Sequence, residues 1–443
     1  MTPTRARWIV FGLGCGTSWL LYVHRYAFGL IKSDLVRDLG LTGPQLGDLD
    51  AAFFFSYAFF QVPLGLLIDV AGAHLFLAST IALWSAALAM HAWAPGIGLL
   101  WFARGLLGAG QSATFAALSR VTRTWFPASI RTTVQGWIGV FFARIGGSSA
   151  NLLLGTLLLG ALAMSWRSAI YLLAAAGIVQ AALFLLFFRD SPRKHPRCNA
   201  AEVALIEARP ATEAGPGPAA KVPLRNLLRG MSGCSLLNVA VLCLEAALSA
   251  IADLVFSNWI PLFLEKALSM SRAQVGLFAA LPLAGGALGG VAGGILNDRL
   301  LRKGASTRWV RSLVGLGGKG IAAVLLGIAL LLYGQPILFA LMLIAVKFFA
   351  DISLATRWGA VTDIGGRVTA TVFAVVNAVG IAGPIVGSLV YGRVIPREGE
   401  AMGVASGWMP MFFIMIGAYV ACGLSWLLVN ASRPVLPEEA PKS

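Results

Sequence analysis

Charge is what this chain has least of. Of its 443 residues only 12% are Asp, Glu, Lys or Arg, against about 25% in a typical soluble domain. A water-facing globular surface is hard to build from so few. The 58% hydrophobic content and the mean hydropathy of +0.80 point away from one as well. Cysteine is scarce too. Cys15, Cys198, Cys234, Cys243 and Cys422 form no CxxC and no metal-ligand spacing. That argues against a disulfide framework and leaves them as small apolar residues, with no metal expected. Catalytic signatures are missing: there is no HExxH, no GxSxG and no clustered His/Asp set. Gly12, Gly14 and Gly16 lack the strand-to-helix setting of a nucleotide loop. A membrane enzyme is therefore disfavoured and no cofactor is expected.

What the chain has instead is apolar length. Runs of 18 or more apolar residues recur, each enough to cross about 30 Å of hydrocarbon. The first begins near Trp8 and passes Tyr22 without a small-residue cleavage site, so it reads as a first span and not as a signal peptide. Twelve helices are expected, at roughly 8–30, 48–69, 74–94, 97–120, 132–160, 168–188, 236–263, 274–297, 310–333, 336–361, 368–392 and 408–430. No barrel-like alternation is present, so backbone groups must be satisfied within helices. The expected fold is an all-α membrane protein with twelve transmembrane helices in two pseudo-symmetric six-helix bundles.

Lys and Arg total 34 against 19 acids, a formal charge of +15. Such an excess could suggest nucleic acid, but the basic residues gather between apolar runs and favour alternate stretches. One side holds Arg5, Arg7, Arg120, Arg123, Arg131, the 189–229 stretch, Arg299, Arg302, Lys303, Arg308, Arg311 and Arg367. The other holds Lys32, Arg37, Arg167, Lys266, Arg272, Arg393 and Arg397. This is the positive-inside pattern of a protein whose partner is a lipid bilayer. It places both termini and the central stretch in the cytoplasm, in a bacterial inner (plasma) membrane. The polar, Pro/Ala/Gly-rich stretch divides the chain into 1–188, a linker at 189–235, 236–431 and a tail at 432–443. A short helix is expected near 200–208, with flexible chain around it. The halves echo each other. Gly65-x3-Asp69 closes the second span and Gly294-x3-Asp298-Arg299 the eighth; Arg131 and Arg367 open the fifth and eleventh. Paired halves are what alternating access needs.

Several segments together resemble the anion:cation symporter family of the major facilitator superfamily. They are Tyr22-Val-His24-Arg25, Gln61-Val-Pro63-Leu-Gly65-Leu-Leu-Ile-Asp69, Arg104-Gly-Leu-Leu-Gly108, Trp125-Phe126-Pro127, Trp259-Ile-Pro261 and Asn377-Ala-Val-Gly380-Ile-Ala-Gly-Pro384. The resemblance runs through nearly the whole chain in order. It extends to bacterial galactonate and hexuronate carriers and more distantly to sialin and the vesicular glutamate transporters. It implies a secondary active transporter for a small organic anion, a sugar acid or other carboxylate, working as a monomer, with a proton or a counter-anion as coupling ion.

A charge at mid-bilayer costs at least about 2.5–3.5 kcal/mol, so charges within spans face a cavity or a partner. Arg25 and Arg104 both fall roughly 8–11 Å below the outer surface, with no fixed carboxylate obvious nearby. A guanidinium fork suits a carboxylate, and the resemblance implies that both contact substrate. The structural alternative is pairing with carbonyls, Asp34 or Asp50. Tyr57 shares a face with Phe53, Phe54 and Gln61, roughly 14 Å deep; it bonds a hydroxylated substrate or merely packs. The resemblance implies a substrate contact for Asn377, whose alternative is a helix–helix hydrogen bond. Arg144, near the middle of span five, matches no family arginine and is either a third anion contact or the partner of an acid. Glu245 and Asp253 lie two turns apart; Lys347 and Asp351 form an i,i+4 pair, read as an internal salt bridge. Lys319 and Arg357 are further buried candidates. Gly65, Asp69, Gly294, Asp298 and Arg299 resemble the superfamily's gating motif, whose first copy is degraded at Val70 and ends at His74.

The pattern breaks where proton coupling is concerned. Proton-coupled members carry an acid just before the first arginine and another two turns after the second. Here His24 and Gln111 stand there. Gln111 cannot titrate but can bond substrate. His24 can titrate, yet like charge and desolvation beside Arg25 oppose it. Coupling candidates are thus His24, Glu245 and Asp351, and a uniporter or an uncoupled exchanger also stays open. An organophosphate/phosphate-type antiporter is the transporter alternative, weakened because span seven offers Glu245 and Asp253 where an arginine is usual. A non-transporting sensor is the other, though the linker and tail are too short for a signalling domain.

Overall fold

The computed structural model describes residues 2–207, 233–396, 405–433 and 435. Among them the regular elements are all helices and no strand occurs. The first half comprises α1 (Ala6–Leu39), α2 (Gly43–Ala71), α3 (Ala73–Trp93), α4 (Ile97–Ser112), α5 (Thr114–Trp125), α6 (Ala128–Gly136), α7 (Phe142–Ala150) and α8 (Trp166–Phe187). The short α9 (Ala200–Glu207) occupies the expected place in the linker. The second half comprises α10 (Gly233–Asn258), α11 (Ile260–Lys266), α12 (Arg272–Arg302), α13 (Thr307–Leu331), α14 (Pro336–Gly365), α15 (Thr369–Gly380), α16 (Ala382–Val394) and α17 (Met409–Ser425).

Among the described residues, ten stretches are long and apolar enough to cross a membrane. The other two expected spans fall on α1, which carries more charge, and on α4–α5, which Ala113 interrupts. Span five is continuous from Thr133 to Ala161, but π-helical turns at Trp137–Phe141 and Asn151–Ala161 flank α7. Large apolar side chains face outward: Phe59 is 62% exposed, Leu66 66% and Leu331 83%. A soluble monomer rarely exposes so much; lipid accepts it.

Two compact units form, Met1–Gly215 with Met270–Ala280, and Pro216–Ser269 with Leu281–Ser443. In the first, local chemistry sets the helix ends. Glu202 of α9 accepts from the backbone N–H groups of Ala6 and Arg7 at 3.1 Å each and from the Thr4 hydroxyl. It thereby caps the positive end of α1. Gly40, in the left-handed region at φ 62°, closes α1 by donating to the Val36 carbonyl. Thr42 and Gln45 form a capping box on α2. Asp190 accepts from the N–H groups of Ala73 and His74 at 2.7 and 3.1 Å, capping α3. In the second unit, the Asn238 side-chain amide donates to the Asn430 carbonyl at 3.0 Å and accepts from the Asn430 backbone N–H at 2.8 Å. This ties the segment after α17 to α10.

Several charges expected at or beyond the ends of spans lie inside helices, Lys32 and Arg311 among them. α1 continues nine residues past the expected end, and Lys32 is fully buried in it. Arg311 lies inside α13, buried, with Asp363 at 2.9 Å and the Asn297 amide oxygen at 3.0 Å. Each is accommodated because an acid sits opposite, a pairing that hydropathy does not reveal. Residues 208–232 of the expected linker, residues 436–443 of the tail and Arg397 fall outside the described residues, as do the side chains of Asp69 and Arg367.

Candidate functional site

In the first unit α1, α2 and α4 converge on Phe53. Gly108 makes this possible: a Cβ there would strike the Phe53 carbonyl oxygen, so α4 lies directly against the backbone of α2. Arg25 from α1 and Arg104 from α4 then stand over the same Phe53 ring, with guanidinium carbons 5.2 and 4.7 Å from its centroid. Such contacts stabilise a cation by about 0.5–2 kcal/mol each.

The two arginines differ in what else they hold. Half-buried Arg25 stands 5.0 Å from the Tyr22 ring and 4.9 Å from the Tyr57 ring. Its Nε donates to the Gln111 side-chain oxygen at 3.2 Å, and Gln111 is itself oriented by donating to the Leu21 carbonyl at 3.2 Å. No carboxylate pairs with Arg25 among the described residues, and its Nη2 is buried without a partner. Arg25, Tyr57 and Gln111 are thus brought together as the sequence suggests, with Tyr22 and Phe53 completing the cage.

Arg104 is buried and paired. Its Nη2 donates to Asp50 at 3.1 Å, its Nε to the Leu49 carbonyl at 3.1 Å, and Phe28 covers it at 4.1 Å. The expectation that no fixed carboxylate lies near the two arginines is corrected here. Asp50 is one, and Lys32 donates to its other oxygen at 2.6 Å. Asp34, the other acid considered, is bound instead by Arg37 and Arg272, both at 2.8 Å. With Arg25, Arg104 and Lys32 against Asp50 alone, the cluster carries an excess of two positive charges.

The remaining candidates have surroundings of their own. His24 is fully buried and donates from Nε2 to the Leu173 carbonyl at 2.9 Å; its ring packs beside Gly177 of α8. Arg144 is half-buried on α7, and Asn377 is exposed on α15. In the second unit, buried Glu245 is paired with Arg357 at 2.9 Å, with the Cys422 sulfur 3.4 Å away. Lys347 bonds Asp351 at 2.6 Å, as the i,i+4 spacing predicts, and Asp253 at 2.8 Å. Lys319 donates to the Ser249 hydroxyl at 2.8 Å and lies 5.1 Å from the Tyr419 ring.

Of the gating residues, Gly65 is half-buried in the last two turns of α2, where Arg120 donates to the Ile68 carbonyl at 2.9 Å. Gly294 has open space at its Cβ position, and Asp298 and Arg299 are exposed. The bonded member of that segment is Asn297, which the motif reading missed. It donates to the Thr356 hydroxyl at 2.9 Å and accepts from Arg311. The Lys32–Asp50 pair also escaped the reading. Its only local sign is that Lys32 and Asp50 flank the same short turn at 40–42, which folds α1 and α2 back on each other.

Long apolar helices with large apolar side chains facing outward and paired charges buried within define a polytopic membrane protein. The chain belongs to the Major Facilitator Superfamily, whose family model matches residues 14–388. It is 29% identical to a probable sulfoacetate transporter of Cupriavidus necator, over 99% of this chain and 96% of that one. It is 28% identical to a probable galactarate/D-glucarate transporter of Bacillus subtilis, over 96% and 92%, and 25% identical to a hexuronate transporter of the same species, over 95% and 93%. These relatives bear out the resemblance to the sugar-acid branch, and they are transporters, not enzymes. Among solved structures, a bacterial homologue of the human lysosomal transporter Spinster, inward-facing and unoccupied, matches with a TM-score of 0.74 over 97% of this chain and 98% of that one, at 17% identity. The nucleoside transporter NupG matches at 0.67 over 94% and 98%, at 15% identity. Both are likenesses of fold.

Proposed function

We propose that this protein is a twelve-helix carrier, two six-helix bundles at 1–188 and 236–431, that moves a small organic anion by alternating access. It sits as a monomer in a bacterial inner membrane with both termini cytoplasmic. The observation that carries the reading is the Arg25 guanidinium: caged by three aromatic rings, oriented by Gln111, and left with a buried, partnerless Nη2. A buried donor without an acceptor is unfavourable, and a carboxylate or sulfonate oxygen satisfies it. Tyr57 stands beside it to meet a hydroxyl. Sulfoacetate, galactarate and glucarate, which name the relatives' cargo, each carry two acid groups. The twofold positive excess of the cluster favours such a dianion over a monocarboxylate.

Uptake of labelled sulfoacetate, D-glucarate, D-galacturonate and a neutral sugar into proteoliposomes tests this, with and without an inward proton gradient. Saturable uptake of anions only is expected. Arg25→Ala should lower it by about 10- to 100-fold, the rate equivalent of a charged hydrogen bond. Anion uptake that Arg25→Ala leaves unchanged would overturn the site. Dependence on the gradient would assign coupling to a titrating group such as His24, Glu245 or Asp351. Uptake that needs only anion inside would make the protein an exchanger.

A further inference from the structure

Two buried cations in the first unit share one buried carboxylate. Asp50 has no exposed surface; Lys32 holds its Oδ2 at 2.6 Å and Arg104 holds its Oδ1 at 3.1 Å. Arg104 is nevertheless only partly engaged, because its Nη1 is buried without a partner. Phe53 joins it to Arg25, whose Nη2 is in the same condition. An acid group reaching the Arg25 cage therefore meets, across one ring, a second guanidinium that Asp50 already occupies.

We propose that Asp50 is an internal counter-anion, which holds Arg104 while the carrier is empty and yields it to an acid group of the cargo when loaded. The proposal rests on the reading that an organic anion binds at Arg25. With a two-acid cargo the charges pair off completely. The two acid groups take Arg25 and Arg104, Asp50 keeps Lys32, and nothing is left over. No proton is needed, because Lys32 holds Asp50 when Arg104 leaves it. Without cargo, Asp50 keeps Arg104 from becoming a stranded buried cation, a strongly unfavourable state. Asp50 is thus a positioning residue that acts through Arg104. Its effect falls on one leg of the cycle. Net transport requires the carrier to return empty, whereas exchange returns it loaded, with the cargo neutralising Arg104 on each crossing.

The test compares two fluxes at equal pH on both sides of a proteoliposome: net uptake into empty vesicles, and exchange against internal unlabelled anion, with labelled D-glucarate and sulfoacetate as probes. For Asp50→Asn, exchange should persist with a severalfold lower KM, since no resident carboxylate competes for Arg104. Net uptake should fall by roughly a hundred- to several-thousandfold, the rate equivalent of breaking a buried pair. Asp50→Glu should restore net uptake. If Asp50→Asn alone does not fold, Lys32→Met combined with Asp50→Asn leaves the cluster's net charge unchanged and should give the same split. Equal losses of both fluxes in the variants that fold, or net uptake that survives, would overturn the role of Asp50. So would a wild type that exchanges but shows no net uptake. A wild type that exchanges neither anion would instead overturn the anion reading itself.

Discussion

Gly108 and Phe53 touch backbone to backbone. The α-carbon of one lies so close to the carbonyl of the other that no side chain fits between α4 and α2. This contact sets the spacing of the site, because Phe53 carries both arginines on its ring and Arg104 rides on the same helix as Gly108.

Gly108→Ala should therefore do two things at once. It overpacks the α2–α4 contact, which costs about 1–3 kcal/mol, and it moves Arg104 away from Asp50. A lowered midpoint in a detergent thermal-shift assay, together with lost net uptake, is expected. An unchanged midpoint would show that the helices are free to separate there.

Phe53→Leu keeps apolar volume but removes the shared ring. Both guanidiniums lose a contact of about 0.5–2 kcal/mol, so KM for the anion should rise by roughly tenfold or more, with a smaller change in maximal rate. Uptake kinetics read this directly, and an unaltered KM would mean that the ring only fills space.

Arg357→Ala should destabilise the second unit far more than it disturbs anion binding, since it leaves Glu245 buried without its partner. Breaking such a pair costs about 3–5 kcal/mol. Glu245→Gln combined with Arg357→Met should recover most of the loss. Thermal shifts of the single and double variants check this, and a double variant as unstable as the single would point to lost packing as the cause.

Glu202→Ala removes the acceptor that closes the first turn of α1. Loss of a cap costs about 0.5–2 kcal/mol, and it should be local. Hydrogen exchange at the Ala6 and Arg7 amides should quicken while the buried middle of α1, near Val23, stays protected. Uniform exchange along α1 would argue against a capping role.

The helices were legible because long apolar runs have few alternatives in a membrane. Their limits were less so. Lys32 read as a loop charge, and only the structure shows that a partner on another helix lets α1 carry it further. Arg25, Tyr57 and Gln111 were legible as one site, since helical spacing and resemblance both brought them forward. Asp50 was visible only as one possible partner among two. Glu245 and Arg357 are far apart in the chain, and no local pattern encodes that they meet. The turns flanking α7 leave no trace in hydropathy, because a wider turn has the same composition as an ordinary one.

Those turns bear on what the fifth span can do. A π-helical turn closes its hydrogen bonds one residue later than an α-helical turn and so stores surplus chain. Trp137–Phe141 and Asn151–Ala161 place that surplus on both sides of Arg144. The segment between them has slack at each end. Passing a residue from one reserve to the other would swivel Arg144 about the helix axis without unwinding the helix at all.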